Sequence, residues 1–278
     1  FGSLRDRYIV NVVDSRESRF TNKAQIAEWI ADYGENSDFV RVRVRGLPPA
    51  ASDLQFIDSA TVLEAQRRGV ATLDDDALVC GLDLARGGAD ECVFRFRRGN
   101  DARSIPPVRV PGELARDSMR LVTLAAEVLT KSYDGHKVAT MFVDETGGSI
   151  GGPIADRLRQ LGHRNVVDVQ FAGHSPDAQL ANMRAYMWSR MRDWLRSGGA
   201  IDATPELEMD LTGPGYFHDK RDRLLLESKE QMKKRGIDSP DDGDALGLTF
   251  AQAVRLSPTL YAAPRSVPYA GPGAFMAQ

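Results

Sequence analysis

Hydrophobic positions along this chain fall into short runs divided by polar and glycine-rich breaks, and their rhythm changes near residue 75. Before that point the signals are modest. Residues 8–13 are apolar enough for a strand. Thr21 or Asn22 can cap a helix through Ile26, Trp29 and Ile30 that stops near Gly34. Residues 39–45 alternate, with Val40, Val42 and Val44 on one side and Arg41, Arg43 and Arg45 on the other. That pattern predicts a half-buried strand with a basic outer face. Residues 46–52 read as a linker, 53–72 contain a short helix, and Asp74-Asp75-Asp76 is a polar break.

Beyond it the runs lengthen. Residues 78–85 predict a buried strand, 86–90 a turn, and 91–97 a second strand with Cys92, Phe94 and Phe96 opposite Val93, Arg95 and Arg97. A third strand at 108–110 runs antiparallel to it. Helix follows at 111–132, strand at 138–143, a loop from Asp144, helix at 152–161, strand at 166–171 and a long amphipathic helix at 177–196. Residues 200–227 read as a hairpin excursion, and helices at 228–235 and 240–256 close the unit. The boundaries are therefore an N-terminal segment 1–47, a linker 48–74, a main domain 75–256 and a loose Pro/Gly/Ala-rich tail 257–278. A meander followed by alternating helices and strands predicts an α/β three-layer sandwich with a mixed central sheet. The tight turn joining the first two strands disfavours a purely parallel sheet.

Composition narrows the classes. The 278 residues are 42% hydrophobic and 27% charged, enough for a large core. A formal net charge of −3 excludes a chain that coats nucleic acid by bulk charge, though not local basic patches. Cys80 and Cys92 match no zinc spacing, and four histidines add no metal signature. No apolar run is long enough to cross a bilayer. The chain starts Phe1-Gly2-Ser3, which suggests a piece of something longer.

Three acids stand at element ends. Asp83 lies near the end of the first strand and Asp144 comes just after the fourth, and in α/β sheets the carboxyl ends of strands handle ligands. In the ribonuclease H-like arrangement, which has this element order, those two strands are neighbours and the closing helix delivers a third acid from its amino end. The stretch "SPDDGDALGLTF" (239–250) fits that role. Ser239 as N-cap, Pro240 at the first position and Asp242 in the first turn read as ordinary capping. Asp244 lies further in and shares a face with Asp241, and that face continues into Leu248 and Ala251. An acid on a buried face is costly unless paired or bound to metal. Three carboxylates without histidine or cysteine make a hard oxygen site suited to Mg²⁺ or Mn²⁺, and such sites serve displacement at phosphorus.

Four phrases in order, "GLDLARGGADECVF" (81–94), "FVDETGGSIGGPIADRLRQLG" (142–162), "NMRAYMWSRMRDWL" (182–195) and "ESKEQMKKRGIDSPDDGDALGLTFA" (227–251), resemble the nuclease domain of tailed-bacteriophage terminase large subunits, over residues 75–256. The stretch "YGENSDFVRVRVRGLPP" (33–49) resembles the segment that comes after the ATPase domain in such proteins. The resemblance implies a ribonuclease H-like fold and a two-metal endonuclease, with two Mg²⁺ or Mn²⁺ ions, that cuts concatemeric double-stranded viral DNA in the host cytoplasm. It implies Asp83, Asp144 and Asp244 as catalytic ligands, Asp241 as a helper ligand and Asp90 as accessory. Lys229 either approaches the site or is a solvated lysine at a helix start. Expected partners are the terminase ATPase domain, the portal protein and the small terminase subunit. No GxxxxGK[ST] loop is present, so the chain is expected to be the carboxy-terminal part, with 1–47 left from the ATPase side or hinge.

Lys220, Arg221, Arg223, Lys233 and Lys234 are candidate DNA contacts; otherwise they are solvated faces. Arg184, Trp188, Arg192 and Arg196 recur along one helix side and read as an amphipathic helix whose core anchors are Tyr186, Met187, Trp194 and, as a further candidate, Trp188, rather than as a DNA-facing stripe. The glycines at 147–152 read as a structural turn ahead of a phosphate loop. Competing readings are a resolvase- or transposase-like nuclease, an actin-like ATPase and a non-catalytic docking module of the packaging motor.

Overall fold

The computed structural model describes residues 12–33, 35, 38–47, 55–84, 91–146 and 150–254. The start of the strand expected at 8–13, part of the linker, the turn carrying Asp90, Gly147 to Ser149 and the tail lie outside the described residues.

The amino-terminal helices are α1 (Lys23–Tyr33) and α2 (Asp38–Arg43). Asn22 caps α1, its Oδ1 accepting from the Ala24 and Gln25 amides. α2 corrects the strand expected at 39–45. Val40 and Val44 are fully buried against Ile26, whereas Val42 is 37% exposed. Alternate valines at 40, 42 and 44 contain a pair four apart, which is also a helical face, and that pairing won. Helix α3 (Ser59–Arg67) is capped by Asp58, whose Oδ1 accepts from Thr61 N at 2.8 Å.

The strands are β1 (Leu78–Asp83), β2 (Cys92–Arg98), β3 (Asp101–Ala102), β4 (Val108–Val110), β5 (Thr140–Asp144), β6 (Val166–Val169) and β7 (Ala200–Ile201). They form one seven-stranded mixed sheet ordered β6-β5-β1-β2-β3-β7, with β4 against β2. β1 and β2 pair antiparallel, and β1 and β5 pair parallel, as the meander and the crossover require. A second, two-stranded sheet is the hairpin β8 (Tyr216–His218) and β9 (Leu224–Leu226).

Helices α4 (Ser118–Thr130) and α5 (Gly151–Gln160) cover one face, against Cys80, Leu82, Phe94, Met141 and Val143. The opposite face carries Val79, Phe142 and Val169, which meet Met187 of α6 (Met183–Arg196) and Leu248 of α9 (Asp241–Leu248). Alternation along each strand thus sorts the residues by layer. Arg95, on the second face of β2, is buried rather than solvated.

Several boundaries moved, each for a local reason. α4 starts at Ser118 because Asp117 caps it, and 114–116 form a single 3₁₀ turn. α6 starts at Met183, not 177, because Asn182 accepts from Ala185 N at 2.9 Å. α9 ends at Leu248, and tighter bonds such as Ala251 N to Leu248 O come after it. The excursion at 200–227 holds the expected hairpin together with an unexpected helix, α7 (Pro205–Thr212). Helix α8 (Lys229–Lys234) carries a capping box between Ser228 and Gln231.

Candidate metal centre and cleft

Sheet register brings the first two acids together. Leu82 of β1 pairs with Val143 of β5 in parallel, so Asp83 and Asp144 are the next residues on neighbouring strands. Both fall on the α9 side, because Leu82 and Val143 face the other way. α9 then reaches the sheet through glycine. A Cβ on Gly81 would stand 1.9 Å from the Ala245 carbonyl oxygen. On the far side, a Cβ on Gly151 would stand 1.9 Å from the Asp144 carbonyl oxygen. Both are close backbone approaches that only glycine permits.

The side chains converge on one ammonium. Lys229 Nζ lies 3.2 Å from Asp83 Oδ2, 3.3 Å from Asp241 Oδ1 and 3.3 Å from Asp244 Oδ2. Asp241 and Asp244, one helical turn apart, do share a face, and the solvated-lysine reading of Lys229 is set aside. Asp244 is fully buried, and its other oxygen accepts from Arg184 Nε at 2.9 Å and Trp188 Nε1 at 2.8 Å. That fixes the carboxylate rotation and leaves Oδ2 turned to the centre. Asp144 Oδ1 accepts from the Thr146 amide at 2.9 Å and from the Thr146 hydroxyl. Asp83 Oδ1 is buried with no hydrogen-bond donor, and buried Asp244 Oδ2 is met by the Lys229 ammonium.

The electrostatics are set by this crowding. Burial pushes the Asp83 carboxyl well above the usual range; Lys229 opposes it, and Asp244, Asp241 and Asp144 add to it. Asp144 is also raised, chiefly by burial, against its bonds to Thr146. For Asp244 burial works the same way, but Arg184 and Lys229 outweigh it and its carboxyl is held below the usual range. Burial disfavours the Lys229 charge, yet Asp83, Asp244 and Asp241 together raise its pKa.

The head of α9 differs from the expected cap. Pro240 holds the N-cap position and Ser239 makes no capping bond there. Asp210 of α7 does the capping instead: its Oδ2 accepts from the Asp242 amide at 2.7 Å and the Gly243 amide at 3.2 Å. Burial raises the Asp210 carboxyl well above its ordinary value, and Asp242 adds to that. Asp242 is no simple first-turn cap. Its carboxylate bonds Arg95 Nε at 2.6 Å and Arg109 at 2.9 Å, and Arg95 also pairs with Asp202. Gly243 is explained as well: a Cβ there would meet the Trp188 ring at 3.0 Å.

A cleft of about 530 Å³ opens beside the acids, with Asp144, Asp241, Lys229 and Lys233 on its wall. Lys234 is exposed on α8, and Lys220 and Arg221 are exposed at the tip of the β8–β9 hairpin. Arg223 pairs with Asp219 at 2.7 Å. Asp90 lies outside the described residues. Among the described residues no three acidic, histidine or cysteine side chains stand as a ready-made ligand set for an ion; the Lys229 ammonium lies among the acids. Arg184, Trp188, Asp210 and Arg95 are site residues that the sequence alone did not reveal. The acid beyond the first turn of α9 signalled that partners were needed, but nothing in the spacing named them.

No protein-family model and no curated protein sequence matches the chain. Solved structures do. The nuclease domain of the large terminase subunit of bacterial virus Sf6 aligns with a TM-score of 0.56 at 17% identity, over 72% of this chain and 100% of that one. A mutant of that domain with manganese and beta-thujaplicinol aligns at 0.54 and 18%, and a mutant with calcium at 0.54 and 17%, each with the same coverage of both chains. No helix among the described residues is long and apolar enough to cross a membrane. Sheet order, the layers on each face and these alignments agree: the chain has the ribonuclease H-like fold of large terminase nuclease domains.

Proposed function

We propose that the chain is a metal-dependent DNA endonuclease of a phage packaging machine, cutting double-stranded concatemers by phosphodiester hydrolysis at Asp83, Asp144 and Asp244, with Asp241 assisting. The observation that carries this reading is the meeting of acids from positions 83, 241 and 244 on a single ammonium, with the buried Asp83 Oδ1 left without a donor and Asp244 Oδ2 met by the Lys229 ammonium. Buried acids without donors are costly, and a divalent cation removes that cost. The donor set is oxygen alone, which fits Mg²⁺ or Mn²⁺ and not zinc.

Two such ions, when bound, supply a nucleophilic water at neutral pH and charge neutralisation at the leaving 3′ oxygen. The chain's own residues do the rest. Asp83 offers oxygens from the rigid end of β1. Arg184 and Trp188 hold Asp244 so that Oδ2 faces the same point. Thr146 orients Asp144 through Oδ1. Lys229 balances the acids' charge in the resting site and, once released from them, stands on the cleft wall to meet a phosphate oxygen. In this reading Lys233, Lys234, Lys220, Arg221 and Arg223 hold the duplex backbone. In this setting the ATPase domain, portal protein and small terminase subunit are the partners, and the host cytoplasm is the location.

The test is conversion of supercoiled plasmid with Mn²⁺ or Mg²⁺. Wild type should yield nicked and linear forms that disappear with chelator, and Asp83→Asn and Asp244→Asn should yield neither. Equal cutting by wild type and either variant would overturn the reading. Partner binding without any cutting would favour the docking-module alternative.

A further inference from the structure

The cleft beside the acids is lined by more carbon than a phosphate backbone calls for. Its volume of about 530 Å³ lies in the range of pockets that enclose compact organic groups. It is continuous with the acids through Asp144, Asp241 and Lys229, while much of the remaining wall is Leu84, Phe171, Phe217, Leu225 and Leu226. Phe171 lies just past β6 and Phe217 lies on the hairpin, so rings from separate elements reach one space.

Two amides add a polar code. Asn182 and Gln231 both line the cleft. The oxygen of Asn182 is taken by the Ala185 amide and that of Gln231 by the Ser228 amide. What each has left is an NH₂ donor. A sugar–phosphate chain is charged and well hydrated, and gains nothing from leucine and phenylalanine. The part of a nucleotide that suits an apolar slot with rings and NH₂ donors is the base, through stacking and its ring acceptors. Lys229, Lys233 and Arg184 on the same wall complement the phosphate attached to it.

We propose that this cleft receives an unstacked nucleobase next to the scissile phosphate, so that the preferred substrate is a locally opened or frayed duplex rather than uniform B-form DNA. The inference rests on the nuclease reading and names the substrate state that the same site takes. Unstacking costs free energy that a mismatch or bubble has already lost, so opened DNA gains where Phe217 and Phe171 can hold the exposed base.

The experiment compares an intact duplex, the same duplex with a short bubble, and single strand, with wild type, Phe217→Ala and Phe217→Trp. Cleavage in Mn²⁺ and fluorescence anisotropy in chelator are both read. Wild type should favour the bubble by about ten-fold, Phe217→Ala should bring the ratio near one, and Phe217→Trp should keep it. Equal cutting of intact and opened DNA by wild type, or an unchanged ratio in Phe217→Ala, overturns the proposal and leaves the nuclease reading standing. If no cutting occurs, the nuclease reading falls; anisotropy still decides the pocket, with a Phe217-dependent preference supporting it and equal affinities ending it.

Discussion

Gly81 and Ala245 meet backbone against backbone: a side-chain carbon on Gly81 would fall 1.9 Å from the Ala245 oxygen and 2.9 Å from Leu248 Cβ. This contact sets how near α9 comes to β1, and therefore how near Asp244 comes to Asp83. Gly81→Ala should force α9 outward. Overpacking of this kind costs about 1–3 kcal/mol, and thermal unfolding should show it. Calorimetric titration with Mn²⁺ should show weakened binding in the same variant, because one acid has moved from the others. A variant with unchanged melting and unchanged affinity would mean that the approach is not what assembles the site.

Trp188 is buried, yet its role is polar. Its indole N–H and the Arg184 guanidinium share Asp244 Oδ1. Trp188→Phe keeps most of the ring and deletes the donor. Loss of an orienting bond behind a metal ligand typically costs 10–100-fold in affinity. Mn²⁺ binding to Trp188→Phe should weaken by about ten-fold while circular dichroism keeps the wild-type helix signal. Wild-type affinity in this variant would show that Arg184 alone orients the carboxylate.

The contrast between Asp244 and Trp188 explains what the sequence made legible. Asp83 and Asp144 stand out because each ends an apolar run, and Asp244 because an acid beyond the first helical turn sits on a core face. These are local rules, and the same runs predicted a mixed sheet; that the first and fourth strands are neighbours came from the ribonuclease H-like arrangement and not from the runs. Trp188 and Arg184 have no such local mark. A tryptophan on a helix reads as core and an arginine as surface, and only the tertiary approach of α6 to α9 gives either its task. Asp210 is further still from legibility, since it caps a helix that starts 31 residues later in the chain. At 39–45 the local rule itself misled, because valines at 40 and 44 satisfy both a strand and a helix.

Lys229 holds the resting site together. Its ammonium faces Asp83, Asp241 and Asp244, so Lys229→Gln leaves like charges facing one another. The metal-free melting temperature should fall. An ion that binds only the folded state stabilises by mass action, and in Lys229→Gln it no longer competes with an ammonium. The rise in melting temperature on adding Mn²⁺ should therefore exceed that of wild type, as differential scanning fluorimetry with and without the ion will read. A smaller rise would mean that Lys229 supports the ion instead of standing in its place.

Asp210 gives stability a pH dependence with a definite sign. Its carboxyl is raised well above 3.8 by burial, with Asp242 adding to it and the Asp242 and Gly243 amides opposing. A carboxyl raised on folding contributes fully below its unfolded pKa and loses that contribution as pH rises through its folded value. The protein therefore holds an ionisation cost near neutral pH that it lacks in acid. Asp210→Asn keeps a carbonyl oxygen for the α9 amides and cannot ionise. Relative to wild type it should gain stability as pH rises from about 4 toward 7, with little difference at the acid end. Asp210→Ala removes the acceptor altogether and should lose about 1–2 kcal/mol, because the first amides of α9 are left without a partner. Denaturant melts of the three proteins across that range separate the terms. If the gain of Asp210→Asn shrank toward neutral pH instead of growing, Asp210 would be an ionised cap whose charge the α9 amides stabilise by more than burial opposes it.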